Sequence, residues 1–249
     1  MTMTDLQVLI AHDSEEMTAE ICDALNGHVK RLRTVKDGRE ALSRLLREHP
    51  RVLVVDVGLP RRAPFELCDD IDQAGLRTRV VLVASVYNRT RYKRRPTSLY
   101  GADDYVEQHH IHDMLAGKVV RLMAGERGPG DIGPGEIEPA AAERVREAAD
   151  AMLTIEFDDV EQGRQRAARL CELIVGDMML YNGEELLAMV SLKDAPQRLL
   201  EDLQEARAIF ARMVPAEIRG DRDWVGDRFA RQFKRRPRLH RVSATGGDG

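Results

Sequence analysis

Short, nearly continuous apolar runs alternate with amphipathic helical patterns over residues 6–123. QVLIA at 7–11 reads as a buried strand. Ser14 then offers an N-cap, Met17, Ile21, Ala24 and Leu25 share one helical face, and Gly27 suits the stop. A weaker strand signal lies around 29–35, followed by DGREALSRLLREH with Ala41, Leu42, Leu45 and Leu46 on one face. RVLVVDV at 51–57 is the strongest strand signal, and residues 65–71 can form a third helix. Residues 80–85 and 104–107 read as a fourth and fifth strand, and Met114, Leu115, Val119 and Leu122 mark a closing helix. Strands buried on both faces and alternating with helices imply a parallel sheet with right-handed crossovers.

The pattern changes at GERGPGDIGPGEIE, residues 125–138, which is rich in Gly and Pro and has no apolar period. It reads as a linker. Beyond it everything reads helical, from Pro139 in a first turn onward. One stripe is Ala167, Cys171, Ile174, Met178 and Tyr181. A second is Leu199, Leu203, Ala206, Phe210 and Met213, and a third is Ile218, Val225, Phe229 and Phe233. The expected organisation is an α/β domain over 1–124, a linker over 125–138, an all-α helical interaction or dimerisation domain over 139–236, and a basic, Gly-rich, disordered tail over 237–249. The second stripe and the Phe229/Phe233 pair offer more apolar surface than one antiparallel hairpin covers, so a homo-oligomer through these helices is expected.

Composition narrows the class. Apolar residues at 43% and charged residues at 32% fit a soluble globular chain. A net charge of -4 weighs against a protein built to hold nucleic-acid phosphates, so nucleic acid is not an expected partner. Cys22, Cys68 and Cys171 are far apart and read as reduced core residues. With no leader-like start and no apolar stretch of spanning length, the expectation is a cytoplasmic protein with no membrane partner.

Candidate chemistry sits at the strand ends. Ligands of doubly wound sheets bind beyond the carboxyl ends of the strands. The first strand here ends in His12-Asp13, the third in Asp56, and the fourth in Ser85. Two carboxylates meeting at one edge repel unless a hard cation bridges them. Mg²⁺ suits such a site, since it takes one or two carboxylates and keeps water and phosphate oxygens otherwise. A hydroxyl on the next strand could bond a phosphoryl oxygen. The layout fits phosphoryl transfer onto a carboxylate.

The motifs LIAHDSEEM, DGREAL, VVDVGLP, VLVAS and GADDY, in this order and spacing, resemble the receiver domain family of two-component response regulators. The resemblance covers roughly residues 6–123. It implies a flavodoxin-like sheet in strand order 2-1-3-4-5. It implies that Asp56 is the phosphoacceptor of a partner histidine kinase, with Asp13 and the Gly58 carbonyl as further Mg²⁺ ligands. Ser85 is then the switch hydroxyl, Tyr105 the switch aromatic, and Gln108 the residue at the position of a family lysine. The implied role is signalling to a downstream protein rather than an enzymatic output. The C-terminal half shows no Gly-rich phosphate loop, no HExxH and no nucleophile-base pair.

This chain departs from the family pattern in three places. His12-Asp13 stands where two acids are usual, and Gln108-His109 stands where Lys-Pro is usual. A neutral amide cannot neutralise a phosphoryl group, and a charge-assisted hydrogen bond is about twice as strong as a neutral one. Between strands four and five lies YNRTRYKRRPTSLYG, 87–101, with Arg89, Arg91, Arg94 and Arg95 as candidates for the missing cation. That segment, with a helical C-terminal half, is similar to response regulators of deltaproteobacteria. Two other readings stay open: a phosphorylation-independent pseudo-receiver acting as a scaffold, and a DNA-binding transcription regulator. The run His109, His110, His112 is poorly spaced to converge on one ion.

Overall fold

The computed structural model describes residues 6–84, 99–126 and 160–236. Ser85, Arg89, Arg91, Arg94 and Arg95 lie outside the described residues, as do Pro139, residues 127–138 of the expected linker and the tail from 237.

Five strands form one sheet in the order β2-β1-β3-β4-β5. They are β1 (Val8–Ala11), β2 (Leu32–Val35), β3 (Val52–Asp56), β4 (Arg79–Ala84) and β5 (Asp104–Glu107). Every neighbouring pair is parallel. The expected doubly wound order is thus the observed one. β1 and β3 are buried along their whole length, which is why they read as continuous apolar runs.

Helices α1 (Glu15–Ala24), α2 (Gly38–Glu48) and α3 (Pro64–Gln73) follow the first three strands. Ser14 caps α1 by accepting from the Met17 amide, as its position before the apolar period implies. Asp37 caps α2 through the amides of Arg39 and Glu40. After β5 the chain passes through a 3₁₀ turn (Gln108–His110) and a π turn (Ile111–Leu115) into α4 (Ala116–Met123).

The C-terminal half is helical: α5 (Val160–Tyr181), α6 (Gly183–Ala188), α7 (Gln197–Met213), α8 (Ala216–Arg219) and α9 (Trp224–Arg235). No helix among the described residues is long and apolar enough to cross a membrane.

The stripes read as surplus surface for self-association are spent inside the chain. Leu199, Leu203, Ala206, Phe210, Phe229 and Phe233 are all buried in one cluster. The hairpin estimate failed because three long helices, α5, α7 and α9, share the apolar load, and the sheet domain contributes Ala63, Phe65 and Tyr100 to the same cluster. In return Leu180 and Tyr181 of α5 enter the core that packs beneath α2 and α3. Exposed large apolar residues among those described, such as Val160 and Val190, are scattered singly, which is ordinary for a protein surface.

Candidate functional site

β1 and β3 are adjacent and in register, with Ala11 opposite Val55. Asp13 and Asp56, just past and at the ends of these strands, therefore emerge at the same sheet edge. Asp56 is fully buried. The loop after it is fixed by several bonds. The Gly58 amide donates to Asp56 Oδ1 at 3.3 Å. The Pro60 carbonyl accepts from the Gly38 amide at 3.0 Å. Arg62 holds Asp70 through two bonds of 2.5 and 2.6 Å, anchoring the loop to α3.

His12 sits behind this edge. Its Nδ1 accepts from the Ser14 amide at 3.0 Å. Burial holds its pKa below the ordinary value, with the Asp56 charge pulling the other way. With Nδ1 accepting from that amide, its 3.6 Å approach to Asp13 is a polar contact and not an ion pair.

A cation reaches this edge, and it comes from the C-terminal half. Arg169 of α5 reaches into the acidic edge. Its Nη2 donates to both Asp56 Oδ2 and Asp13 Oδ1, its Nε faces Asp13 Oδ2, and its Nη1 donates to the Gly58 carbonyl. Burial works to lower the Arg169 pKa, but Asp56 and Asp13 outweigh it, so the guanidinium is held above its ordinary value and stays charged. Three groups inferred to be cation ligands thus converge on one cationic side chain.

These oxygen donors also fit a hard divalent ion. His12, Asp13 and Asp56 place ligand atoms within 4.8 Å of one another. Two carboxylates and a backbone carbonyl are the donor set that Mg²⁺ takes, and the guanidinium shows that a cation is accommodated among them.

The other expected site residues are placed less closely. Tyr105 is buried in the core beneath α2 and α3, with Lys118 Nζ 5.9 Å from its ring centre. Gln108 lies in the 3₁₀ turn, and no described hydrogen bond joins it to Asp13 or Asp56. Ser85 and the arginines of 89–95 lie outside the described residues.

Sequence reading missed Arg169 because it followed the stripe through Ala167, Cys171, Ile174, Met178 and Tyr181. The adjacent face carries Arg169, Leu173, Gly176 and Leu180, spaced as one side of a helix. An arginine aligned with an apolar face that also holds a helical glycine was the available signal.

The family model described as a response regulator receiver domain matches residues 8–117. An uncharacterized response regulatory protein, SERP2406 of Staphylococcus epidermidis, is 26% identical over 99 residues, 37% of this chain and 38% of that protein. The transcriptional regulatory protein HptR of Staphylococcus aureus is 24% identical over 176 residues, 67% of this chain and 65% of that protein. The chain therefore spans less than two thirds of either relative. The signal receiver domain of a signal transduction histidine kinase from Syntrophus aciditrophicus is 26% identical, covering 52% of this chain and 98% of that one, with a TM-score of 0.41. The expectation against a nucleic-acid partner gains no support from a relative named as a transcriptional regulator.

Proposed function

We propose that this chain, whose residues 8–117 are a receiver domain of the two-component response regulator family, accepts a phosphoryl group on Asp56 and passes the change to its C-terminal helices. The observation that carries this is the convergence of Asp13, Asp56 and the Gly58 carbonyl on a single cationic group. Asp13, Asp56 and the Gly58 carbonyl would hold Mg²⁺, which when bound would neutralise charge on the phosphoryl oxygens. The Asp56 carboxylate forms the new oxygen–phosphorus bond as the phosphorus–nitrogen bond of a donor phosphohistidine breaks. The β3–α3 loop holds that carboxylate in place through the Gly58 amide.

The histidine kinase partner, the switch roles of Ser85 and Tyr105, and a phosphoryl contact from Gln108 belong to the same proposal. So does the division into receiver 1–124, linker 125–138, helical module 139–236 and tail 237–249. The output is a protein contact rather than a second chemistry.

The test is acetyl phosphate with Mg²⁺, followed by intact mass. The expected result is one phosphoryl group gained by the wild type and none by Asp56→Asn. No gain in any form, even with α5 displaced, overturns the phosphoacceptor reading and leaves the scaffold reading.

A second reading, DNA binding, is favoured by the name of the relative matched over 67% of the chain and by the exposed Arg231, Lys234 and Arg235 on α9. Fluorescence anisotropy with duplex DNA at two salt concentrations tests it. Affinity that falls with salt and is lost in a triple Ala variant of those residues supports it.

A further inference from the structure

The acidic edge is partly covered as well as partly neutralised. Asp56 is 0% exposed, and the element lying over it is α5. α5 approaches the loop after β3 at backbone distance. A Cβ added at Gly176 would lie 2.6 Å from the Val57 carbonyl oxygen, and one added at Gly58 would lie 2.9 Å from Leu173 Cα. Glycine on both sides is what permits the contact. The far end of the helix is tied to the same domain. Tyr181 Oη donates to Glu107 Oε1 at 2.8 Å, and Tyr100 Oη donates to the Met179 carbonyl at 2.9 Å.

We propose that Arg169 is a built-in counter-cation that occupies the acidic edge in place of a divalent metal, so that docking of α5 and metal entry exclude one another. The proposal rests on the reading of Asp13, Asp56 and Gly58 as a cation site, and it holds whether or not Asp56 is phosphorylated.

The exclusion follows from the donor atoms. Mg²⁺ requires oxygens at about 2.0–2.1 Å in near-octahedral geometry. The guanidinium already uses both oxygens of Asp13, Oδ2 of Asp56 and the Gly58 carbonyl, so its nitrogens fill the volume an ion would take. Removing the guanidinium leaves two carboxylates with no cation between them, which raises their demand for a divalent ion. When only the undocked state binds, its rarity weakens the apparent affinity in proportion. Linkage runs both ways, so bound metal must loosen α5. Helix α5 is then an inhibitory element of the receiver, and the missing lysine and the reaching arginine are two parts of one arrangement.

The experiment is calorimetric titration of Mg²⁺ into the full chain as wild type, Arg169→Gln and Gly176→Ala, with Asp13→Ala as control. Arg169→Gln keeps the first two methylenes of the stem and removes the charge. Gly176→Ala keeps Arg169 and favours the helix, but its Cβ forces α5 off the Val57 carbonyl. Both variants are expected to bind Mg²⁺ at least about tenfold more tightly than the wild type, and the control not at all. Saturating Mg²⁺ should also speed amide exchange across 160–181 in the wild type. Wild-type affinity equal to that of a folded Arg169→Gln overturns the proposal. If Arg169→Gln does not fold, wild-type affinity equal to that of Gly176→Ala, with no change in α5 exchange, overturns it. Tighter Mg²⁺ binding in the variants with no phosphoryl gain from acetyl phosphate upholds this inference while removing the phosphoacceptor reading. Equal affinities with phosphoryl gain do the reverse.

Discussion

Arg169 donates to Asp56 across 113 residues of sequence. The contact joins the most buried carboxylate of the sheet edge to a helix outside the receiver. It makes the charge state of that edge a property of the whole chain.

Replacing Arg169 with Ala should destabilise the protein by about 3 kcal/mol, near the lower end for breaking a buried pair because the side chain is 20% exposed. Part of that loss should return with Mg²⁺, since a ligand of the folded state stabilises it. Thermal melts with and without Mg²⁺ check this. A variant that melts with the wild type shows that the pair contributes nothing.

Tyr181→Phe should cost about 1 kcal/mol, the net worth of one hydrogen bond. Burial first, and then the Glu107 charge, push the Tyr181 phenol up, so it stays protonated and donates to Glu107 Oε1 at 2.8 Å. Urea unfolding of the variant should show a lower midpoint with an unchanged slope.

Asp104→Ala should be the most damaging change at the β5 edge. Asp104 is fully buried, with Lys118 at 2.7 Å and Arg121 at 2.5 Å. Removing it takes away the buried carboxylate that both cations share, at a cost of about 3–5 kcal/mol. Chemical denaturation measures it, and a loss below about 1 kcal/mol contradicts this account.

Asp202→Asn should stabilise the protein at neutral pH. Burial raises the Asp202 pKa, and the Asn182 hydrogen bond only partly offsets it. The folded pKa therefore lies above the unfolded value of about 3.9. The folded state binds a proton the unfolded state does not, so the penalty is present above the folded pKa and fades as pH falls through it. The melting-temperature gain of Asp202→Asn over the wild type should be clear at pH 7 and shrink toward pH 4.

Much of the receiver was legible because its signals are local. The run RVLVVDV is apolar at almost every position, and β3 is buried at all five of its residues. The Ser14 cap and the Asp37 cap act within one helical turn, so their chemistry is written in adjacent residues. Asp13 and Asp56 could be paired from sequence because a parallel sheet brings the carboxyl ends of neighbouring strands to one edge.

The C-terminal half was legible as helices but not as an arrangement. The Leu199–Phe210 and Phe229/Phe233 positions were expected as apolar surface left over for a second copy or another protein. Their partners are the other helices and Phe65 and Tyr100 of the receiver. Amphipathic period states that a face is buried and does not state against what.

The sequence by itself therefore determined the strands and the two carboxylates at their ends, because strand period and strand-end position follow from near neighbours, while the strand order came with the family resemblance. Only the tertiary structure decided which cation meets them. The expected source was the arginine-rich segment next in sequence, which lies outside the described residues. The observed source is Arg169, delivered by a helix whose close approach depends on Gly176 and Gly58 meeting without side chains between them. A single arginine among the 38 basic residues carries no local mark of its partner. The partner is set by how two packed layers dock, and that is a property of surfaces rather than of segments.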